Sequence, residues 1–271
     1  MSDLDRNYAS PFGRAGARAD TAAVDAGLRA YMLRIYNYMT IGLAITGLAA
    51  LGVYMLAVTG DASLAAKSAT GATLALARGQ YLTQFGYAVF VSPLKWVLIL
   101  APLVMVFAIS FGINRLRPAT AQMLFWAFSA LMGISLSSIF LVYTHTSIVR
   151  VFFITAASFG ALSLYGYTTK RDMTGMGSFL MMGLFGIIIA SLVNIFVASS
   201  MLQFVVSVVG VLVFAGLTAW DTQRLKNDYI YGYAAQGGEM AERAAITGAL
   251  SLYLNFINLF TLLLQLLGQR D

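Results

Sequence analysis

The stretch Met173–Trp220 reads MTGMGSFLMMGLFGIIIASLVNIFVASSMLQFVVSVVGVLVFAGLTAW and contains no Asp, Glu, Lys, Arg or His. A helix of about 20 residues crosses the hydrocarbon core of a bilayer, so this run is too long for one span. It has the right length for two spans, and the polar pair Ser199–Ser200 near its middle predicts the turn between them. The stretch therefore predicts a hairpin of two transmembrane helices.

The composition of the whole chain fits the same environment. Of the 271 residues, 59% are hydrophobic and only 10% are charged, which is too few charges to cover a soluble protein. The chain has no cysteine and one histidine, which excludes disulfides and multi-histidine metal sites. The net charge of +6 comes from basic residues scattered over loops, so we predict no nucleic-acid binding. The lipid bilayer is the predicted partner, and no cofactor is expected.

Charge-free runs elsewhere predict five more spans, which gives an all-α integral membrane protein with a seven-transmembrane-helix bundle. The transmembrane domain covers residues 29–269, with helices predicted at about 35–60, 96–114, 122–143, 151–169, 177–198, 201–221 and 244–268. Residues 1–28 lack a sustained apolar stretch and are predicted to form a disordered tail. The long loop 61–94 separates the first two spans, and its stretch Ser63–Arg78 is compatible with a surface helix.

The basic residues are divided unequally between the two sides of the predicted bundle. Of the 17 Lys and Arg, twelve fall on the side of the N-terminus and five on the opposite side. Basic loops are retained in the cytoplasm during insertion. We therefore predict a cytoplasmic N-terminus, with the tail 1–28 on the same side.

Asp221 is the only acidic residue that falls within a predicted span, and it directly follows the charge-free run Met173–Trp220. Placing a charged side chain at the centre of the membrane costs about 2.5–3.5 kcal/mol on insertion scales, so ionisable residues at membrane depth are usually functional. The alternative is a solvated acid at the end of the sixth span, paired with Arg224 three residues later. The residues alone leave both interpretations open.

Asn255 and Asn258 lie three residues apart in the seventh span and share a helical face. Amides inside an apolar span usually form hydrogen bonds between helices. Alternatively, this face lines a wet cavity, where amide oxygens help to coordinate a hard cation. Asn194 in the fifth span is a candidate for the same two roles.

The sequence offers no recognisable enzyme active site. It lacks a glycine-rich phosphate loop and a His-Glu zinc motif, and its single histidine, His145, lies in a short loop. An intramembrane aspartyl protease needs two aspartates, and only Asp221 is available within the spans. We predict that the protein is not an enzyme.

Two segments resemble the signature of the Bax inhibitor-1 family. The first is Trp-Asp-Thr-Gln at residues 220–223, and the second is Ser-Leu-Tyr-Leu-Asn-Phe-Ile-Asn-Leu-Phe at residues 251–260. The resemblance covers roughly residues 34–268. It implies seven helices, a cytoplasmic N-terminus and, as in the bacterial members, a multi-pass protein of the inner (plasma) membrane.

The resemblance implies a pH-sensitive calcium leak, in which aspartates of the sixth and seventh spans share a proton and engage an arginine after the second span. Asp221 has the position of the first aspartate and Arg115 that of the arginine, whereas Asn255 stands where the family typically has the second aspartate. A neutral amide takes no part in a coupled two-proton titration. We therefore predict a single latch between Asp221 and Arg115 that opens a cytoplasmic mouth when it breaks, with weakened Ca²⁺ binding at Asp221.

The family also implies an alternative function without ion conduction. Some bacterial members resemble modulators of a membrane-bound AAA protease, and such a protein acts by binding other membrane proteins. The missing second aspartate and the Ala-rich tail 1–28, which a protease could engage, favour this alternative.

Overall fold

The computed structural model describes residues 11–67, 73–76, 79–113, 116–233 and 238–270. In these residues seven helical segments are long and apolar enough to cross a membrane, which confirms the predicted number of spans. The helices are α1 (Pro11–Ala57), α2 (Gln84–Phe90), α3 (Leu94–Gly112), α4 (Pro118–Leu136), α5 (Ile139–Val142), α6 (His145–Thr168), α7 (Thr174–Val197), α8 (Ser200–Asp228) and α9 (Glu239–Leu267). The short helix α5 continues α4, so the two together form one span.

Several helices extend beyond the charge-free runs that predicted them. Helix α8 continues to Asp228, past the predicted end at residue 221, and α9 begins at Glu239, ahead of residue 244. Charged side chains are tolerated at the ends of a span because they reach the membrane interface. The absence of charge therefore marks the centre of a transmembrane helix rather than its whole length.

The start of α1 differs most from the sequence prediction. Residues 11–28 are helical where the sequence predicted a disordered tail, while residues 1–10 lie outside the described part of the chain. Alanine and arginine are strong helix formers, and Pro11 suits the first position of a helix. Leu28 is buried in the bundle, so this end of the predicted tail belongs to the folded domain. The cytoplasmic placement of the N-terminus stays a prediction.

Helices α7 and α8 are joined by a tight turn at the Ser199–Ser200 pair. Ala198 has a left-handed backbone with φ 49°, and the Ser199 hydroxyl accepts a hydrogen bond from the N–H of Leu202. The side-chain oxygen of Asn194 accepts a hydrogen bond from the N–H of Ser199 at 3.0 Å. The three features cap the two helix ends and reverse the chain.

Helix α9 lies at the centre of the bundle. It packs against α1, α4, α6 and α8, and more than half of its most apolar part is buried. Helix α7 instead packs mainly on α8 and leaves large side chains such as Phe179, Phe185 and Phe196 exposed. An apolar surface of this kind is suited to lipid. The two helices that carry the family-like motifs, α8 and α9, are thus neighbours in the interior.

Tyr253 ties α9 to α1 and α4. Its side chain is completely buried, and its hydroxyl lies 2.7 Å from that of Thr46 in α1. Thr46 also donates to the backbone carbonyl of Ser129 in α4 at 2.9 Å. The rings of Phe125 and Phe128 meet the Tyr253 ring edge to face, with centroid distances of 5.7 and 5.6 Å. This cluster fixes the middle of α9.

Glycines allow the closest helix contacts. A Cβ atom at Gly166 of α6 would collide with the backbone of Ala219 in α8, and one at Gly133 of α4 would collide with the backbone of Thr46 in α1. Small residues at such crossings let two backbones approach, which favours helix association in lipid. The contact of α6 with α8 places the motif at residues 220–223 deep in the protein.

The described part of the loop between the first two spans contains two short strands and the helix α2. Strands β1 (Val58–Thr59) and β2 (Tyr81–Leu82) pair antiparallel, and isolated bridges join Lys67 to Thr73 and Ala75 to Tyr81. A short 3₁₀ helix covers only Ala62–Leu64. The described part of the stretch Ser63–Arg78 is therefore not the surface helix that its composition allowed.

Candidate functional site

The four residues of the motif at 220–223 each face a different neighbour. Trp220 packs on Gly177 of α7, where a Cβ atom would collide with the indole ring, and Asp221 faces α9. The Thr222 hydroxyl lies 3.3 Å from that of Ser163 in α6. Because consecutive residues of a helix point about 100° apart, one short motif in the C-terminal third of α8 can contact three surrounding helices.

Gln223 fastens α8 to the loop between α6 and α7. Its side-chain nitrogen donates to the carbonyl of Arg171 at 2.7 Å, and its oxygen accepts from the N–H of Met173 at 2.9 Å. In the same loop, Asp172 accepts hydrogen bonds from the hydroxyl and N–H of Thr174, which lower the pKa of this exposed carboxyl. The loop beside α8 is thus held by specific hydrogen bonds.

The carboxylate of Asp221 is buried, with 4% of the residue exposed. Its Oδ2 accepts hydrogen bonds from Asn255 Nδ2 at 2.6 Å and from the Ser251 hydroxyl at 3.0 Å, both on α9. Its Oδ1 lies 2.7 Å from the guanidinium of Arg224. One carboxylate therefore joins α8 to α9 and holds a basic partner on its own helix.

Arg224 connects this buried carboxylate to the surface. Its side chain is 40% exposed, and its guanidinium carbon lies 4.7 Å from the centre of the Trp220 ring. A guanidinium nitrogen of Arg224 also lies 3.5 Å from the Ser251 hydroxyl oxygen. Solvent screens this pair at the partly exposed guanidinium, whereas the carboxylate is buried and is also bonded to α9 through Asn255 and Ser251. Loss of the Asp221 charge would therefore change the contact between α8 and α9.

A cavity of about 690 Å³ opens beside this cluster at the end of the bundle formed by the C-terminal part of α8 and the start of α9. Its charged lining consists of Arg224, Asp228 and Arg243. Arg243 pairs with Glu239 at 3.2 Å. The complete lining is Tyr31, Ile113, Arg224, Leu225, Asp228, Met240, Arg243, Ala244, Thr247 and Gly248. The Asp221 cluster thus lies directly behind the wall of this cavity, which Arg224 lines.

The structure brings together two of the residues that the sequence singled out, Asp221 and Asn255. Asn258 does not join them, because its side chain donates to the carbonyl of Leu254 on its own helix. Asn194 caps the turn after α7 and does not contact the cluster. Arg115 lies outside the described residues, so its contact with Asp221 stays a prediction.

The sequence allowed Asp221 to be a solvated acid at the end of the sixth span. The structure contradicts this interpretation. Asp221 does pair with Arg224, but the carboxylate is buried and α8 continues for seven residues beyond it. Among the described residues, no group of three His, Cys, Asp or Glu could hold a metal ion. Calcium binding at Asp221 would rest on one carboxylate and neighbouring neutral oxygens.

Sequence reasoning missed Ser251, Gln223 and Tyr253 as anchoring residues. Ser251 lies four residues before Asn255, which places both on one face of a helix, so the helical period could have indicated it. Gln223 and Tyr253 reach other parts of the chain, and no local pattern identifies those contacts.

Comparison with known proteins identifies the family. The model of the family described as "Inhibitor of apoptosis-promoting Bax1" matches residues 28–271. An uncharacterized protein of Caulobacter vibrioides is 44% identical over 270 residues, which cover 99% of this chain and 98% of that protein. Inner membrane protein YbhL of Escherichia coli (strain K12) is 42% identical over 247 residues, which cover 90% of this chain and 94% of YbhL.

A match that covers less of the chain is also to a membrane protein. An uncharacterized membrane protein of Streptococcus pyogenes serotype M1 is 41% identical over 169 residues, which cover 62% of this chain and 72% of that protein. The seven apolar helices and the membrane-protein relatives agree that this is a multi-pass inner membrane protein. With the family model matching nearly the whole transmembrane domain, the chain belongs to the Bax inhibitor-1 family.

Proposed function

We propose that the protein is a non-enzymatic calcium leak of the inner membrane, gated by the contact of Asp221 with α9. The observation that carries the proposal is the position of one buried carboxylate. It joins α8 to α9 through Asn255, pairs with Arg224, and lies behind a cavity that both helices line. A charge in this position can control whether two central helices stay together.

Protonation of Asp221 is the proposed opening event. A neutral carboxyl no longer attracts Arg224, and its hydrogen bonds to Asn255 and Ser251 lose their charge assistance. Hydrogen bonds to charged groups contribute about 1.5–3 kcal/mol and neutral ones about 0.5–1.5 kcal/mol, so each bond loses about 1–1.5 kcal/mol. Each loss shifts the equilibrium between the closed and open states by roughly five- to twelvefold. In this mechanism the leak increases as the pH falls.

Arg115 remains a proposed second partner for the carboxylate. Ile113, two residues before it, lines the cavity beside Arg224, which supports placing the predicted latch at this end of the bundle. Calcium would pass Asp221 only after Arg224 moves, because the guanidinium occupies one carboxylate oxygen. The carboxylate therefore acts mainly as a gate and only transiently as a ligand.

Replacing Asp221 with asparagine should raise the leak about tenfold at neutral pH and abolish its increase on acidification, since the group that titrates is gone. The measurement is calcium entry into proteoliposomes that contain a trapped calcium indicator, recorded from pH 5 to pH 8. Asp172→Asn is the matched control, because this exposed loop acid lies outside the cluster. An unchanged rate and pH response in Asp221→Asn would contradict the proposal.

The alternative proposal is a non-conducting partner of other membrane proteins, such as a membrane-bound AAA protease. The helical extension of α1 from Pro11, ahead of the span that begins at Val24, favours it because a partner could engage this segment. The same liposomes separate the two functions. Wild-type protein that leaks no more than empty liposomes at any pH would leave only the partner role.

A further inference from the structure

A lateral groove separates α1 from α6 on the outside of the bundle. Both helices pack on α9, but they make few direct contacts with each other. The part of the groove nearer the Asp221 end encloses about 580 Å³. Its lining consists of Arg29, Met32, Leu33, Tyr36, Met39, Phe159, Gly160, Ser163, Leu164 and Tyr167. The groove is open to the side, where a lipid can enter from the bilayer.

The dimensions of this groove suit one acyl chain. The lining residues of α1 run from Arg29 to Met39, a distance of about 15 Å along a helix. This is half of a hydrocarbon core of about 30 Å, so the groove spans one leaflet. A Cβ atom at Gly160 would meet no atom within 4 Å, which leaves open space at the middle of the groove.

The charges at one end of the groove select the headgroup. Arg29 is exposed there and forms no ion pair with any residue in the described part of the chain. Lys226 donates to the carbonyl of Tyr167 at 2.8 Å, which adds a second cation beside the lining. No acidic residue lines the groove. Basic residues beside apolar grooves at the membrane interface are typical of sites for anionic lipids.

A second cavity farther along the same seam provides a contrast. It encloses about 280 Å³ between Gly47 of α1 and Phe152 of α6, and no charged residue lines it. Lipid in that cavity would be bound without discrimination between headgroups. The charge that selects a headgroup is therefore confined to the end with Arg29.

We propose that the groove between α1 and α6 is a binding site for one anionic phospholipid, with an acyl chain along Gly160 and the phosphate at Arg29. This site is separate from the Asp221 cluster and does not depend on calcium conduction. The bound lipid fills a gap that the protein leaves between two of its spans. It also adds a negative headgroup where the bundle presents positive charge.

Native mass spectrometry of the full chain in detergent tests the site, with dioleoyl phosphatidylglycerol and dioleoyl phosphatidylcholine as probes. Wild-type protein should retain one phosphatidylglycerol in preference to phosphatidylcholine. Arg29→Gln should weaken phosphatidylglycerol binding about fivefold and leave phosphatidylcholine binding unchanged, because only the charge is lost. Gly160→Leu should weaken both lipids, because the side chain fills the space of the acyl chain.

Two control variants match these changes. Arg150→Gln removes an exposed arginine at the other end of α6, and Gly186→Leu adds the same side chain in open space on α7. Both should bind lipid as the wild type does. If Gly160→Leu does not fold, Arg29→Glu serves as the second test variant. It should weaken phosphatidylglycerol binding more than Arg29→Gln does and leave phosphatidylcholine binding unchanged. Equal binding of the two lipids to wild-type protein, or unchanged phosphatidylglycerol binding in Arg29→Gln, would overturn the proposal.

Discussion

Replacing Tyr253 with alanine is expected to lower the free energy of unfolding by about 3–5 kcal/mol. The substitution empties a completely buried site and removes the hydroxyl that contacts Thr46 at 2.7 Å. It also removes the edge-to-face contacts with Phe125 and Phe128. Because these contacts join α9 to α1 and α4, the loss affects the centre of the bundle. Thermal unfolding of the purified protein in detergent measures it.

Two variants separate the contributions at this position. Tyr253→Phe keeps the ring and loses only the hydroxyl, so it should cost about 0.5–1.5 kcal/mol. Tyr231→Ala removes a tyrosine that is 86% exposed and should change the stability by less than about 0.5 kcal/mol. An equal loss for Tyr253→Ala and Tyr231→Ala would refute the central role of the buried cluster.

The substitution Asn255→Asp should make the stability strongly dependent on pH. It replaces the amide that donates to Asp221 at 2.6 Å by a second carboxyl group, and two buried carboxylates in contact cannot both ionise. The folded variant then keeps a shared proton that the unfolded chain loses above about pH 4. Since the folded state binds more protons, its stability falls as the pH rises, by about 1.4 kcal/mol per pH unit while the shared proton is retained.

The measurement is thermal unfolding of the purified variant between pH 5 and pH 8, with the wild type run in parallel. Asn255→Leu is the control, because it removes the amide without adding a titrating group and should be destabilised equally at each pH. The proton shared with Asp221 should also make the calcium leak of Asn255→Asp increase at high pH, where repulsion separates α8 from α9. A variant with the wild-type pH slope would mean that the two side chains do not meet.

The number and order of the spans were predictable from the sequence because each span leaves a run without charge. The turn at Ser199–Ser200 was predictable for the same reason, since two small polar residues interrupt a run that is too long for one helix. The residues at which the transmembrane helices begin and end were less predictable. Helix α8 carries Arg224 and Lys226 beyond the apolar run, where Asp221 pairs with Arg224 and the carbonyl of Tyr167 accepts a hydrogen bond from Lys226. Charge alone does not show whether such partners exist.

The candidate site was predictable only in part. Asp221 stood out because an acid at membrane depth is unusual. Asn255 stood out because it replaces an acid in the motif at residues 251–260, which resembles that of the family. Their contact depends on how α8 packs against α9, which no local pattern specifies. The helical start of α1 at Pro11 was missed because the composition of the segment, rich in alanine and charge, suits both a disordered tail and a helix.

The proposed gating contact between Asp221 and Asn255 is tested most directly by a double-mutant cycle. The calcium leak is measured for Asp221→Asn, Asn255→Ala and the two changes combined. If the hydrogen bond between Asp221 and Asn255 keeps the leak closed, either single change removes its effect and the second change adds little. We predict that the double variant leaks within about twofold of the faster single variant. Independent effects, in which the fold-increases of the two single variants multiply, would contradict gating by the contact between Asp221 and Asn255.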